Sequence, residues 1–245
     1  MRGSSLLTPT PIRIFSQHNF ISFQFYSDLD GTFEKNNASY SNSYSDHYGE
    51  TSPEISVGVL PMYRKNIQET INRLRWYFQK NHEYRTGSSG LEDGYLQVNE
   101  FTNAETQQEY DLTVDRMVNG QYSWSPLTTW GNTSFYVANS VGLPCPSDAF
   151  NKGLADSLYK VAVLEAHGSP STNGSLTTTV AKSITIRPAI IWLEGCNTGD
   201  LTYDNNILTE IVCSSNSKAL VGKGGTSNAG GDREQWKRIL RAQYC

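Results

Sequence analysis

The chain predicts a β-rich α+β fold, a mostly antiparallel sheet or sandwich with one central amphipathic helix and a C-terminal helix. Three observations carry this expectation. Short segments of alternating or apolar character recur along most of the 245 residues. Clusters of Gly, Pro, Asn and Ser separate them, as in "LPCPSD", "HGSPSTNGS" and "GKGGTSNAGG". Only two stretches carry helical periodicity, and no internal repeat is visible.

In chain order, the segments with strand character are "IRIF", "ISFQF", "ISVGVL", "YLQVNEF", "EYDLTV", "SFYV", "YKVAVLEA", "TTTVAKSITI", "AIIWL" and "ILTEIV". The alternation in "ISFQF" and "YLQVNEF" is that of strands with one wet face, which favours antiparallel pairing. The central helix is "PMYRKNIQETINRLRWYFQKN". Tyr63, Ile67, Ile71, Leu74 and Phe78 recur at spacings of four and three, Pro61 suits the first turn, and the apolar face is expected to pack on the sheet. The C-terminal helix is "DREQWKRILRAQY", with Asp232 as its cap, Gln235 in the reciprocal position, and Trp236, Ile239 and Leu240 on its apolar side.

The organisation expected is a single domain over residues 1–245 with two appendages. The glycine-rich residues 222–231 form a linker to the last helix, since "LVGKGGTSNAGG" lacks the Gly-x-x-x-x-Gly-Lys-Ser/Thr order of a phosphate loop. Residues 36–54 form a loop or arm, almost free of large aliphatic residues but carrying Tyr40, Tyr44 and Tyr48. Tyrosine combines apolar area with a hydrogen-bonding tip, so these three mark a contact surface.

Composition narrows the function classes. Hydrophobic residues make up 37% and charged residues 18%, with Gly at 20 and Tyr at 14. These are turn, strand and contact-surface residues rather than those of a helical enzyme. The net charge of −4 disfavours nucleic acid as a partner, and no apolar run approaches bilayer length. The start "MRGSSLLTPTPIRIF" lacks the continuous apolar stretch of a signal peptide, so the sequons at Asn37, Asn132 and Asn173 are expected to stay unmodified. Arg64, Lys65, Arg73, Arg75 and Lys80 set a basic face on the central helix against Glu69, suited to docking an acidic partner.

Cys145, Cys196, Cys213 and Cys245 form no C-x-x-C pair, and the four histidines show no metal-ligand spacing. Cys196 and Cys213 flank a turn and an expected strand. A disulfide across it is one reading, and reduced buried thiols are the favoured one. "EAHGSPS" offers Glu165, His167 and Ser169 to a hydrolase, but nothing in the sequence places a nucleophile elbow there.

"DLDGT", Asp28 to Thr32, resembles the first motif of the haloacid-dehalogenase-like phosphatases. The resemblance implies Asp28 as nucleophile, Asp30 as general acid and base, and a magnesium ion between carboxylate and phosphate. It further implies Thr86 at the end of a second buried strand, Lys152 neutralising the phosphate, and Asp200 and Asp204 completing the magnesium site. The surrounding segments depart from that family. "ISFQFYS" alternates where a buried parallel strand should be continuously apolar, and "QKNHEYR" is too polar to lead into Thr86.

The expectation drawn from these readings is a structural subunit of a larger assembly. A phage or virus particle component of the tail, neck or baseplate comes first, assembled in the host cytoplasm, located in the virion and partnered by copies of itself and other subunits. It needs no cofactor and no metal, and it is not an enzyme. The magnesium-dependent phosphatase is one alternative. A cell-surface glycan-binding or adhesin module using Trp124 and Trp130 in "YSWSPLTTWGN" is the other.

Overall fold

The computed structural model describes residues 14–15, 20–21, 32–35, 43–48, 60, 66–118, 132–143 and 149–225. They fall in two compact units, Met1–Lys65 and Asn66–Cys245. The first unit holds a four-stranded sheet of β1 (Ile14–Phe15), β2 (Phe20–Ile21), β3 (Thr32–Lys35) and β4 (Ser43–Tyr48), in the order β2-β1-β4-β3. Its β1–β2 and β3–β4 pairs are antiparallel and its β1–β4 pair is parallel. Residues 43–48 of the tyrosine-rich stretch therefore supply a strand to this sheet.

The second unit begins with α1 (Ile67–Arg85) and continues through β5 (Gly94–Ala104), α2 (Gln107–Val118), β6 (Asn132–Asn139), α3 (Ala149–Leu154) and β7 (Val161–Glu165). A small antiparallel sheet follows, made of β8 (Gly168–Ser169), β9 (Thr172–Asn173) and β10 (Leu176–Thr177). The chain ends its described part with α4 (Thr178–Ser183), β11 (Ile190–Glu194), α5 (Ile207–Val212) and β12 (Val221–Gly224).

Five strands form the main sheet in the order β12-β11-β7-β5-β6, and every pair in it is parallel. The bridge Ile186–Ser217 prolongs the β11–β12 pairing. This corrects the expected mostly antiparallel sheet or sandwich: the unit is α/β, with helices on both faces. On one face α2 packs Met117 and Val114 against Val137 and Phe135. On the other, Gly153 of α3 sits on Leu96, and Leu208 and Val212 of α5 sit on Gly222. The alternation of β5 misled for a physical reason. Leu96 and Val98 are fully buried on one side, yet Gln97 and Asn99 on the other side are buried as well, at 6% and 8% exposed. Their amides bond a buried carboxylate instead of water.

Three segments expected as strands are helical. "EYDLTV" lies in α2, which Thr106 opens by accepting from the Glu109 N–H at 3.2 Å. "ILTEIV" is α5, capped by Asn206, and the first residues of "TTTVAKSITI" form α4, capped by Thr177. Gly222 to Gly224 of the glycine-rich stretch form β12.

The central helix is present but turned over. Asn66 caps it, accepting from the Glu69 N–H at 2.8 Å. Ile67 is 80% exposed and Phe78 61%, while Arg73 and Lys80 are buried, so the expected packing of the apolar face on the sheet is corrected. The inward charges have partners. Arg73 Nη2 lies 3.1 Å from both Glu210 carboxylate oxygens, and its Nε donates to Glu69 at 3.0 Å. Lys80 donates to the carbonyls of Val212 and Ser217. No described helix is long and apolar enough to cross a membrane.

Candidate active site

The pairing of β7 with β11 runs from Val161–Ile190 to Glu165–Glu194 with a constant offset, and the Ala166 N–H carries it on by donating to the Glu194 carbonyl at 3.2 Å. Beyond it His167 and Cys196 follow on the two chains, each next to one of two glycines that touch, Gly168 and Gly195. Both residues leave the carboxyl ends of neighbouring parallel strands, the edge where open α/β sheets bind ligands. Neighbouring strands lie only about 4.8 Å apart, and here two glycines bring the chains together. A Cβ on Gly168 would stand 2.8 Å from Gly195 Cα, and one on Gly195 would stand 2.9 Å from Gly168 Cα. Gly168 and Gly195 thus meet backbone to backbone.

His167 is exposed, and the segment after it is held from several sides. Its carbonyl accepts from the Gly174 N–H at 2.8 Å, and Gly174 has a left-handed φ of +51°. Glu100, near the end of β5, accepts from Ser175 N at 2.8 Å and Ser175 Oγ at 2.6 Å, which ties the β9–β10 turn to the main sheet. The Phe101 ring meets the His167 ring edge to face at 5.1 Å.

The loop carrying Cys196 is braced from below. Asn197 adopts a φ of 57°, which asparagine tolerates better than most residues. Thr198 Oγ1 donates to the Leu193 carbonyl at 3.1 Å and the Gly195 carbonyl at 3.0 Å. Asn206 Nδ2 reaches back to the carbonyls of Thr198 (2.9 Å) and Asp200 (3.1 Å) while its Oδ1 caps α5. The Ile207 N–H donates to the Pro170 carbonyl at 2.8 Å and so joins this loop to the one after His167. Cys196 and Cys213 are both free thiols. Burial pushes the Cys213 thiol up to about 11.

A polar network lies across β5 and the end of β7. Gln97 and Asn99 each donate to one oxygen of Glu165, the latter at 2.8 Å, and the Tyr95 hydroxyl donates to Gln97 at 2.9 Å. Burial raises the Tyr95 phenol, so it stays neutral as a donor. Toward β12, Lys223 Nζ lies 4.9 Å over the Trp192 ring, and burial pushes its ammonium down to about 7, against the pull of Glu194.

Of the residues expected from the phosphatase resemblance, Asp28 and Asp30 lie outside the described residues. Thr86 ends α1, donating to the His82 carbonyl at 2.9 Å, and Lys152 is exposed on α3. Asp200 accepts from Thr202, and Asp204 is exposed in the same loop. No group of three His, Cys, Asp or Glu among the described residues could hold a metal ion. Tyr40, Arg64, Lys65, Trp124 and Trp130 also lie outside the described residues. Tyr44 and Tyr48 sit on β4, opposite Lys35 and Thr32, while Arg75 is exposed on α1 and Arg73 faces inward.

Cys196 was not among the site residues expected from the sequence. A readable signal existed: "LEAHGS" and "LEGCNTG" are each an apolar strand running into a glycine beside a reactive residue. The two segments, 29 residues apart, come together where Gly168 meets Gly195. No protein-family model matches the chain, and no curated protein or solved structure matches it.

Proposed function

We propose that this chain is a cysteine-dependent hydrolase that cleaves a peptide or other acyl bond, with Cys196 as nucleophile and His167 as general base. The observation that supports the reading is the backbone contact of Gly168 with Gly195 past the carboxyl ends of β7 and β11, since His167 precedes the first glycine and Cys196 follows the second. A thiol needs a neighbouring base to become a strong nucleophile, and this pairing supplies one.

In the reaction His167 takes the Cys196 thiol proton, and the thiolate attacks the substrate carbonyl carbon. The tetrahedral adduct collapses to a thioester, and the imidazolium returns the proton to the leaving nitrogen or oxygen. Water, deprotonated by His167, then attacks the thioester and releases the carboxylate and the free thiol. The edge-to-face contact of Phe101 with His167 restrains the ring. The hydrogen bonds of Thr198 and Asn206 hold the nucleophile turn in one geometry, which is what a positioned pair requires. Nothing among the described residues favours the particle-subunit reading, with its virion setting and partner subunits, or the phosphatase or glycan-binding readings, over this one.

The test is alkylation by iodoacetamide with peptide mapping, run beside hydrolysis of a pool of fluorogenic peptides. Cys196 should label on the order of 10²-fold faster in the wild type than in His167→Ala, and hydrolysis should vanish in Cys196→Ser. Equal labelling of Cys196 in both proteins, with no hydrolysis of any substrate, would sink the proposal.

A further inference from the structure

We infer that Asn173 is a positioning residue for the proposed thiol–imidazole pair, an inference that rests on the hydrolase reading. Asn173 is fully buried and lies in β9 opposite Gly168, the residue that follows His167. Its Nδ2 donates to the Leu164 carbonyl of β7 at 3.2 Å, which fixes the orientation of the amide. Its Oδ1 has no hydrogen-bond partner among the described residues. That oxygen fills the space where a Gly195 side chain would begin, 2.1 Å from the site of its Cβ. One side chain therefore touches both halves of the pair: its backbone is in register with the histidine side, and its carbonyl oxygen supports the residue before the cysteine.

A buried acceptor left without a donor is costly, and such groups call for a local reason. Here the amide acts as a strut. It sets how closely the ends of β7 and β11 approach, and hence the separation of Cys196 and His167. It also aims the negative end of a carbonyl dipole at the Gly195–Cys196 peptide. Charged groups on the surrounding elements are Glu100, whose carboxylate lies against Gly174, and Glu165 and Glu194 at the strand ends, with the His167 imidazole one residue before Gly168.

Asn173→Ala removes the strut, and Asn173→Asp keeps its shape while adding a full charge at the Oδ1 position. Iodoacetamide labelling of Cys196 is followed against pH in wild type, His167→Ala and both variants, with peptide hydrolysis alongside. Asn173→Ala should slow labelling by about 10-fold or more and lower kcat while leaving KM within about twofold. Asn173→Asp should move the midpoint of the pH profile upward by about one unit, because a nearby negative charge disfavours the thiolate. A labelling rate in Asn173→Ala within about twofold of wild type, or an unmoved midpoint in Asn173→Asp, overturns the inference. If Asn173→Ala exposes Cys213 and is thus unfolded, the Asn173→Asp midpoint alone decides. Failure of the hydrolase reading shows separately, as a wild-type rate no faster than that of His167→Ala.

Discussion

Replacing Arg73 with methionine should destabilise the second unit severely, and replacing Glu210 along with it should restore most of the loss. The guanidinium Nη2 lies 3.1 Å from both oxygens of Glu210, and the two side chains are 8% and 3% exposed. Arg73→Met takes the bidentate partner from a carboxylate in the interior. Lys182 remains 3.7 Å away but is half exposed, so it compensates weakly. Breaking one side of a buried pair costs roughly 3–5 kcal/mol. The Arg73 Nη1 has no partner among the described residues, and its removal relieves a second penalty, which sets the figure toward the lower end. A loss of about 3 kcal/mol lowers the melting temperature by roughly 6–12 °C for a unit of this size. Arg73→Met with Glu210→Leu buries no charge and should cost less than about 1 kcal/mol. Urea denaturation followed by far-UV dichroism gives the free energies, and pulse labelling of buried Cys213 reports opening of the same region. A single variant that loses under about 1 kcal/mol, or a double variant as unstable as the single one, would refute the inward docking of α1.

Four further outcomes are expected. Gly195→Ala, whose new Cβ would stand 2.1 Å from Asn173 Oδ1 and 2.9 Å from the Ala166 carbonyl, should cost about 1–3 kcal/mol and on the order of 10²-fold in hydrolysis; wild-type turnover would contradict the glycine seam. Cys213, buried with its thiol pushed up to about 11, should stay unlabelled at neutral pH while Cys196 reacts, and comparable rates at the two sites would count against the assignment. Phe78→Ser and Ile67→Ser should each change stability by less than about 0.5 kcal/mol, because both side chains are mostly exposed; a drop several times larger would mean that this face is covered in solution. Lys223 sits near 7 when folded and near its ordinary 10.5 when unfolded, so the unfolded chain holds the extra proton between those values. Stability should therefore rise with pH across that window, and Lys223→Met should remove that part of the rise in urea titrations at pH 6.5 and 9.

Four of the five strands of the main sheet were legible as strands: β5, β6, β7 and β11 coincide with segments whose apolar patterning marks them, whereas β12 lies largely in the glycine-rich stretch expected as a linker. Their mutual direction was not, because the pattern of β5 has two physical origins. Polar residues at every second position mean a wet face only when water satisfies them, and in β5 the carboxylate of Glu165 takes that role. α2 and α5 were misread because short apolar runs fit either period. The deciding signals were the caps Thr106 and Asn206, which stand outside the runs themselves. In α1 the helix was readable and its docking face was not. Burial of Arg73 and Lys80 depends on acceptors on residues more than 130 positions away. The candidate site failed in the same way. His167 and Cys196 are each ordinary in local context, and only the contact of Gly168 with Gly195 brings their two segments together.

The contact of Asn173 with Gly195 bears on how the protein will age. Asn173 is followed by Gly174, the pairing in which a backbone nitrogen most readily attacks the preceding side-chain amide to give a succinimide and then aspartate. In the folded chain that attack is blocked twice, because the Gly174 N–H is held by the His167 carbonyl and the Asn173 amide by the Leu164 carbonyl. Deamidation therefore has to wait for local opening of the β8–β9–β10 sheet. A stored sample converts Asn173 to aspartate in proportion to the time it spends open, which installs a negative charge beside Cys196. Warm or alkaline storage would produce preparations whose specific activity falls while their fold and mass stay almost unchanged. Such batches would separate by ion exchange into an active fraction and a more acidic, slower one.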